Sequence, residues 1–393
     1  MPSTDIPTRE QLVGRASELA PTLQKHALWA EENGRLHDET IEALTDAGMF
    51  KLRTPVRYGG YESDTRTVAE VAAALGAGDG SAGWVTSVYW IATWGAAAFP
   101  DEVQDEVFAT PDVRVCGTLS PSAMATPAEG GVVLNGKWAF ISGATHAHWQ
   151  MIVAVLVSEG SEPYPIIGLV PMSDLRIVDD WNTSGLKGTG SVSTVAVDVF
   201  VPAARVLPLP AVLQGQVASR LNAERPIYRV PLLPVASASS VGTVLGLARG
   251  AWDAFFERLP QRKITYTDYA AQAQAPLTHL QVAEAAVKID QAEFHVRRLT
   301  ELVDRKGEDA TPWTVEERVK ARADMGMVVR LGKEAVDILA TASGGSSIYS
   351  DQPIQRITRD VQAVSLHALM HPDTNAELYG RVLCGLAPNT LYL

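Results

Sequence analysis

At 393 residues, with 46% hydrophobic and 20% charged residues, the chain has room for two or three packed domains and the make-up of an ordinary globular protein. Its net charge of −12 argues against a nucleic-acid partner, which needs clustered Lys and Arg, and no basic run is longer than a pair such as Arg297-Arg298. Cys116 and Cys384 are far apart and read as free thiols, excluding a disulfide framework.

Met1-Pro2-Ser3-Thr4-Asp5 has neither the charged nor the apolar region of a signal peptide, so a cytoplasmic location is expected. Residues 8 to 75 read as helices: Leu12, Ala16, Leu19, Leu23 and Ala27 follow helical spacing, and a second helix opens at Asp38 and stops at Gly48. The uncharged stretch from Gly80 to Phe99 approaches bilayer length. It holds Gly83, Thr86, Ser87, Thr93 and Gly95 and lacks basic flanks, so it predicts a central buried helix and no membrane span.

Near residue 113 the pattern turns to strands. Val132-Val133-Leu134, Asn135-Gly136 and Lys137-Trp138-Ala139-Phe140 predict a hairpin, with the Asn-Gly pair as its turn. Apolar runs follow at 151–157 and 166–170, and 195–201 alternates. Pro202, Pro208 and Pro210 mark a linker. Beyond it, helical periods at 236–258, 277–305, 315–342 and 354–386 predict an antiparallel four-helix bundle. The expectation is a mainly α chain with a central β-domain, divided as 1–112, 113–212 and 213–393.

Two stretches carry the chemistry: Asn135-Gly136-Lys137-Trp138-Ala139-Phe140-Ile141-Ser142-Gly143, and Gly185-Leu186-Lys187-Gly188-Thr189-Gly190-Ser191 with Trp181 before it. Both are glycine-rich, low in charge and next to a strand, which suits a flat ring held by backbone and hydroxyl groups. The second is neither a phosphate-binding nor a dinucleotide fingerprint, since no Lys-Ser/Thr follows and no βαβ unit surrounds it. Taken alone, Ser142 reads first as a strand-end serine bonding its own backbone. Together the stretches resemble the middle domain of the acyl-CoA dehydrogenase superfamily. More closely, they resemble its reduced-flavin monooxygenase branch, which includes the oxygenase component of p-hydroxyphenylacetate 3-hydroxylase and dibenzothiophene monooxygenase. The likeness spans nearly the whole chain.

The resemblance implies an acyl-CoA dehydrogenase fold, a homotetramer, and the oxygenase half of a two-component system fed by a separate flavin reductase. It implies that reduced flavin and O₂ form a C4a-hydroperoxide that hydroxylates a small aromatic substrate, a polycyclic natural product being one candidate. N- or S-oxygenation and acyl-CoA dehydrogenation are the alternatives. On this reading Phe140, Ser142, Ser120, Gly188, Thr189, Gly190 and Ser191 contact the flavin, with Ser142 near N5. His367 orients or deprotonates substrate, and His371, one helical turn on, is its rival. No Glu occupies 364–372, where the dehydrogenases keep a catalytic carboxylate. Trp90 and Trp94, with Trp84, offer a flat substrate wall, although at least two of the three are expected in the core. His146 lines the site, His148 lies at the surface, and no metal is expected. Arg359-Asp360 reads as an ion pair. Arg262 roughly matches a dehydrogenase arginine that reaches the FAD pyrophosphate of a neighbouring subunit, but Ile264-Thr265-Tyr266 replaces the usual aromatic-Gly pair, which points to reduced FMN with FAD as the alternative.

Overall fold

The computed structural model describes residues 6–393, so the Met1–Asp5 reading lies outside the described residues. Six helices come first: α1 (Arg9–Glu18), α2 (Ala20–Asn33), α3 (Asp38–Asp46), α4 (Thr65–Gly78), α5 (Gly80–Ala96) and α6 (Asp101–Val107). Eight strands follow: β1 (Val115–Gly117), β2 (Ala123–Ala128), β3 (Gly131–Ile141), β4 (Trp149–Leu156), β5 (Tyr164–Pro171), β6 (Arg176–Val178), β7 (Val192–Pro202) and β8 (Val206–Pro208). Helices α7 (Leu209–Leu213), α8 (Leu232–Arg258), α9 (Pro276–Asp309), α10 (Val315–Ala342), α11 (Pro353–Ser365) and α12 (Pro372–Leu383) complete the chain.

Asp79 starts α5 by accepting the Ala82 N–H at 2.8 Å, and α5 is buried on nearly every side, as its uncharged sequence predicts. Helix α8 is also apolar enough to cross a bilayer by length and composition, but 94% of its apolar window is buried inside the protein. It lies against α4 at backbone distance. A Cβ on Gly242 would stand 2.2 Å from the Ala69 carbonyl oxygen, and one on Gly246 2.4 Å from that of Ala73. These contacts fasten the N-terminal helices to the bundle.

The sheet runs β6-β7-β3-β2-β4-β5-β8, with β1 beside β4. The Asn135-Gly136 pair is not a hairpin turn, because β3 runs straight through it. The β2–β3 turn lies at Glu129-Gly130 instead. Asn135 exchanges two 2.9 Å hydrogen bonds with Asp198 across the ladder, where the β3–β7 register slips. The pair therefore serves a bulge. A Cβ on Gly136 would stand 2.5 Å from that of Ala123.

The helix expected over 354–386 is two helices. Helix α11 ends at Ser365, and Pro372 opens α12 with His371 before it in a non-helical conformation. His367 lies in the intervening turn and His371 caps α12. The two imidazoles do not share a helix face.

Candidate active site

The two glycine-rich stretches meet. Gly143 N–H donates to the Thr189 carbonyl at 2.9 Å, and behind that bond lies a row of buried hydroxyls. Ser142 Oγ and Ser191 Oγ are 2.7 Å apart, as are Ser191 Oγ and Thr189 Oγ1. Thr189 Oγ1 donates to the Leu186 carbonyl at 2.7 Å, and Trp84 Nε1 donates to Ser142 Oγ at 3.1 Å. The ends fix the direction of the row, since each hydroxyl has one proton. Thr189 spends its proton on Leu186, so Ser191 must donate to Thr189 and Ser142 to Ser191. Ser142 is left with an acceptor lone pair. Ser142 and Trp84 are both buried, with 5% and 6% of their surface exposed.

The Trp84 ring meets His367 edge-on, with centroids 5.2 Å apart. Leu369 N–H donates to His367 Nδ1 at 3.3 Å. His367 is exposed, yet burial of its surroundings and then the Arg322 charge push its imidazole down to about 4. Thr189, Ser191, Ser142, Trp84 and His367 thus form one continuous line.

The glycine loop is held from α11. Asp360 Oδ1 accepts the Leu186 N–H at 2.6 Å, where Leu186 has a left-handed φ of +50°. The expected Arg359–Asp360 ion pair does not form, since consecutive helical residues point about 100° apart. Arg359 instead reaches Glu31 of α2 and the Ser184 carbonyl. Burial, and then the charge of Asp79, push Asp360 up to about 7. The folded state therefore holds a proton that the unfolded chain releases near pH 4, and this contribution to stability is lost as pH rises from about 4 to 7. Asp360→Asn keeps an acceptor for Leu186 without that titration. Its melting temperature relative to wild type is expected to rise between pH 5 and pH 8. An equal difference at both pH values would show that Asp360 does not titrate in this range.

The acyl-CoA dehydrogenase N-terminal domain model matches residues 10–111, and the acyl-CoA dehydrogenase C-terminal domain model matches residues 238–372. A pigment production hydroxylase from a Rhodococcus species is 34% identical, over 95% of this chain and 96% of its own. The FADH₂-dependent resorcinol hydroxylase oxygenase component from a Rhizobium species is 33% identical, over 97% of this chain and 96% of its own. Among solved structures, XiaF from a Streptomyces species, in complex with FADH₂ and glycerol, superposes with a TM-score of 0.91 at 30% identity, over 97% of each chain. The chain belongs to the flavin-dependent hydroxylases of the acyl-CoA dehydrogenase superfamily. It is a reduced-flavin monooxygenase.

The monooxygenase places its other sequence-predicted residues apart from this line. Trp90 and Trp94 are in the core, their indoles donating to the Met49 and Ile227 carbonyls at 2.6 Å. They present no wall to a ligand, and the tryptophan that touches Ser142 and His367 is Trp84. Phe140 has a left-handed φ of +63°, is 68% exposed and meets Trp181 edge-on. Gly188 and Gly190 shape the loop around Thr189, and a Cβ on Gly188 would stand 2.9 Å from that of Ala30. Ser120 lies on the exposed loop between β1 and β2, where its N–H meets Thr118 Oγ1 at 3.4 Å. His146 turns toward the N-terminal helices, with Nε2 3.0 Å from the Leu36 carbonyl. His148, expected at the surface, is half-buried against Arg114, and burial with the Arg114 charge pushes it down to about 4.

Arg262 bonds Gln272 and Ser346 beside the Gly344 loop. Helix α8 passes Gly80 at Leu247, and the helical run from Leu247 to Arg258 alone spans roughly 16 Å. Arg262 is therefore remote from Trp84 within one chain. Among the described residues, His26, His37 and Glu39 bring potential ligand atoms within 4.8 Å of one another. The two rings stack at 4.0 Å and 15°, so their in-plane lone pairs run side by side and do not converge on one ion. Glu39 is already engaged by Lys25 and His26.

Proposed function

We propose that this monooxygenase is the oxygenase component of a two-component system, receiving reduced flavin from a separate reductase and hydroxylating a small aromatic substrate. The directed hydroxyl row carries the reading. A reduced isoalloxazine has an N–H at N5 and an oxidised one does not, and Ser142 offers a lone pair with no proton to give. Once bound, reduced flavin supplies the electrons that activate O₂. Ser142 would hold the N5 proton, Thr189 and Ser191 would hold Ser142, and Trp84 would shield that bond from water.

The relatives named above with a flavin carry FADH₂. Arg258 and Arg262 both reach Ser346 Oγ, and Arg258 Nη1 is buried without a partner among the described residues. That corner suits the phosphate of a flavin seated in a neighbouring subunit of the proposed tetramer, so FAD stands beside FMN as the reduced cofactor. We take the three segments 1–112, 113–212 and 213–393 as its domains, a homotetramer as its assembly and the cytoplasm as its location. Exposed Leu277, Leu280, Val287 and Phe294 along α9 support the assembly. Acyl-CoA dehydrogenation is disfavoured because residues 364–372 offer no carboxylate.

The test supplies a flavin reductase, NADH, FMN or FAD and a panel of phenols, and measures product and H₂O₂ per O₂ consumed. Hydroxylated product is expected. Oxidation of an acyl-CoA with an artificial acceptor, and no product from any phenol, would replace this reading. Ser142→Ala removes one hydrogen bond, about 1 kcal/mol of flavin affinity, so binding should weaken modestly while a larger share of O₂ appears as H₂O₂. Unchanged coupling would remove Ser142 from the site.

A further inference from the structure

The hydroxyl row that starts at Ser142 ends on the Leu186 carbonyl, and that carbonyl is held in an unusual place. Leu186 lies in the left-handed region, with φ 50° and ψ 33°. A leucine there is crowded by its own Cβ, so the conformation persists only where its surroundings hold it. Helix α11 does the holding. Arg359 Nη1 donates to the Ser184 carbonyl at 2.7 Å, and a Cβ on Gly185 would stand 2.1 Å from the Arg359 carbonyl oxygen. Asp360, 3% exposed, then accepts the Leu186 N–H at 2.6 Å. So turned, the Leu186 carbonyl accepts from Trp181 Nε1 at 3.1 Å, from Thr189 N–H at 3.1 Å and from Thr189 Oγ1 at 2.7 Å.

A carbonyl has no proton to return, so the row is blind at this end. With the carbonyl in place, each hydroxyl proton points away from the open lone pair of Ser142. With it moved, Thr189 could turn its proton to Ser191, Ser191 could turn to Ser142, and Ser142 could donate outward. Trp84 Nε1 donates to Ser142 Oγ in either arrangement. Among the described residues, the Leu186 carbonyl alone decides between the two directions. They suit different flavins. A reduced ring presents N5–H, which meets an accepting Ser142, whereas an oxidised ring presents a bare N5 lone pair, which meets a donating one.

We propose that Asp360 is a positioning residue for redox selectivity: by holding Leu186 left-handed it fixes the direction of the hydroxyl row, and so makes the site favour reduced over oxidised flavin. The inference rests on the reading of Ser142 as the group that meets N5, and traces that group's preference back to α11.

Dissociation constants of the full chain for reduced and oxidised FMN, and in parallel for FAD, test this without turnover. Their ratio is the readout, because a loop that is merely loosened weakens both flavins alike and leaves the ratio unmoved. Asp360→Ala is expected to lower the preference for reduced flavin about five- to ten-fold, the strength of one hydrogen bond at N5. Thr189→Val deletes the last hydroxyl with Asp360 in place and should lower it as much. The double variant should lower it no further, since both changes release the same row. Asp360→Asn keeps the acceptor and Thr189→Ser keeps the hydroxyl, and both should retain the wild-type ratio. Asp360→Ser, too short to reach Leu186, stands in for Asp360→Ala if that variant does not fold. A wild-type ratio in Asp360→Ala or in Thr189→Val, or effects of the two that multiply, would overturn the proposal. Failure of the Ser142 reading itself would be distinguished by a wild-type ratio in Ser142→Ala as well.

Discussion

His367→Ala is expected to bind reduced flavin as wild type does and to transfer oxygen to substrate about 10²- to 10⁴-fold more slowly, the usual share of a positioned proton-handling group. The separation follows from the geometry. The acceptor proposed to face the flavin is Ser142, held by Ser191 and by Trp84, and none of those bonds passes through His367. Loss of the imidazole removes the polar group on the far side of Trp84, so the deficit should fall on product and not on O₂ consumption, with H₂O₂ making up the balance. His371→Ala supplies the control. That side chain caps α12 through Thr374, and its loss should cost some of the stability of a helix cap, about 1 kcal/mol, with product formation unchanged. Stopped-flow flavin binding and product analysis on both variants decide the matter. Comparable product loss in both would place the substrate group elsewhere in the turn.

Trp84→Ala should be the most damaging single change to the site. A buried Trp to Ala substitution costs about 3–5 kcal/mol, and here it also opens the partition between Ser142 and His367. The informative partner is Trp84→Phe, which keeps most of the ring and its edge contact but deletes the Nε1 donor. Denaturant unfolding should show a large loss for Ala and a small one for Phe. Both should release more H₂O₂ per O₂ than wild type. A Phe variant with wild-type coupling would mean that the indole acts only as packing.

The long helices were legible because their ends carry local chemistry. Thr314 and Glu317 form a reciprocal cap, and α10 occupies the span read from the sequence, 315–342. The turn at His367 was hidden because apolar spacing continues across it, and Pro372 was the only mark of the break. The Asn135-Gly136 pair misled for a different reason. Its local preference for a turn is overridden by a cross-strand partner, Asp198, sixty-three residues away. The hydroxyl row needs distances that no spacing supplies. Trp84 did leave a sign. Trp90 and Trp94 are four residues apart and share a helix face, whereas Trp84 lies about 240° around the helix from Trp90, so the three could not form one wall.

Helix α11 carries the loop clamp Asp360 within it and His367 just beyond its end. The clamp sits inside a regular helix, while the six residues 366–371 belong to a turn whose carbonyls at Leu369 and His371 are held by side chains, those of Asn375 and Arg322. If His367 meets substrate and the clamped loop meets flavin, as proposed, the two functions are separable by chain position. On the proposed assignment, rewriting that short turn should change what is oxidised while leaving the loop clamp at Leu186 intact.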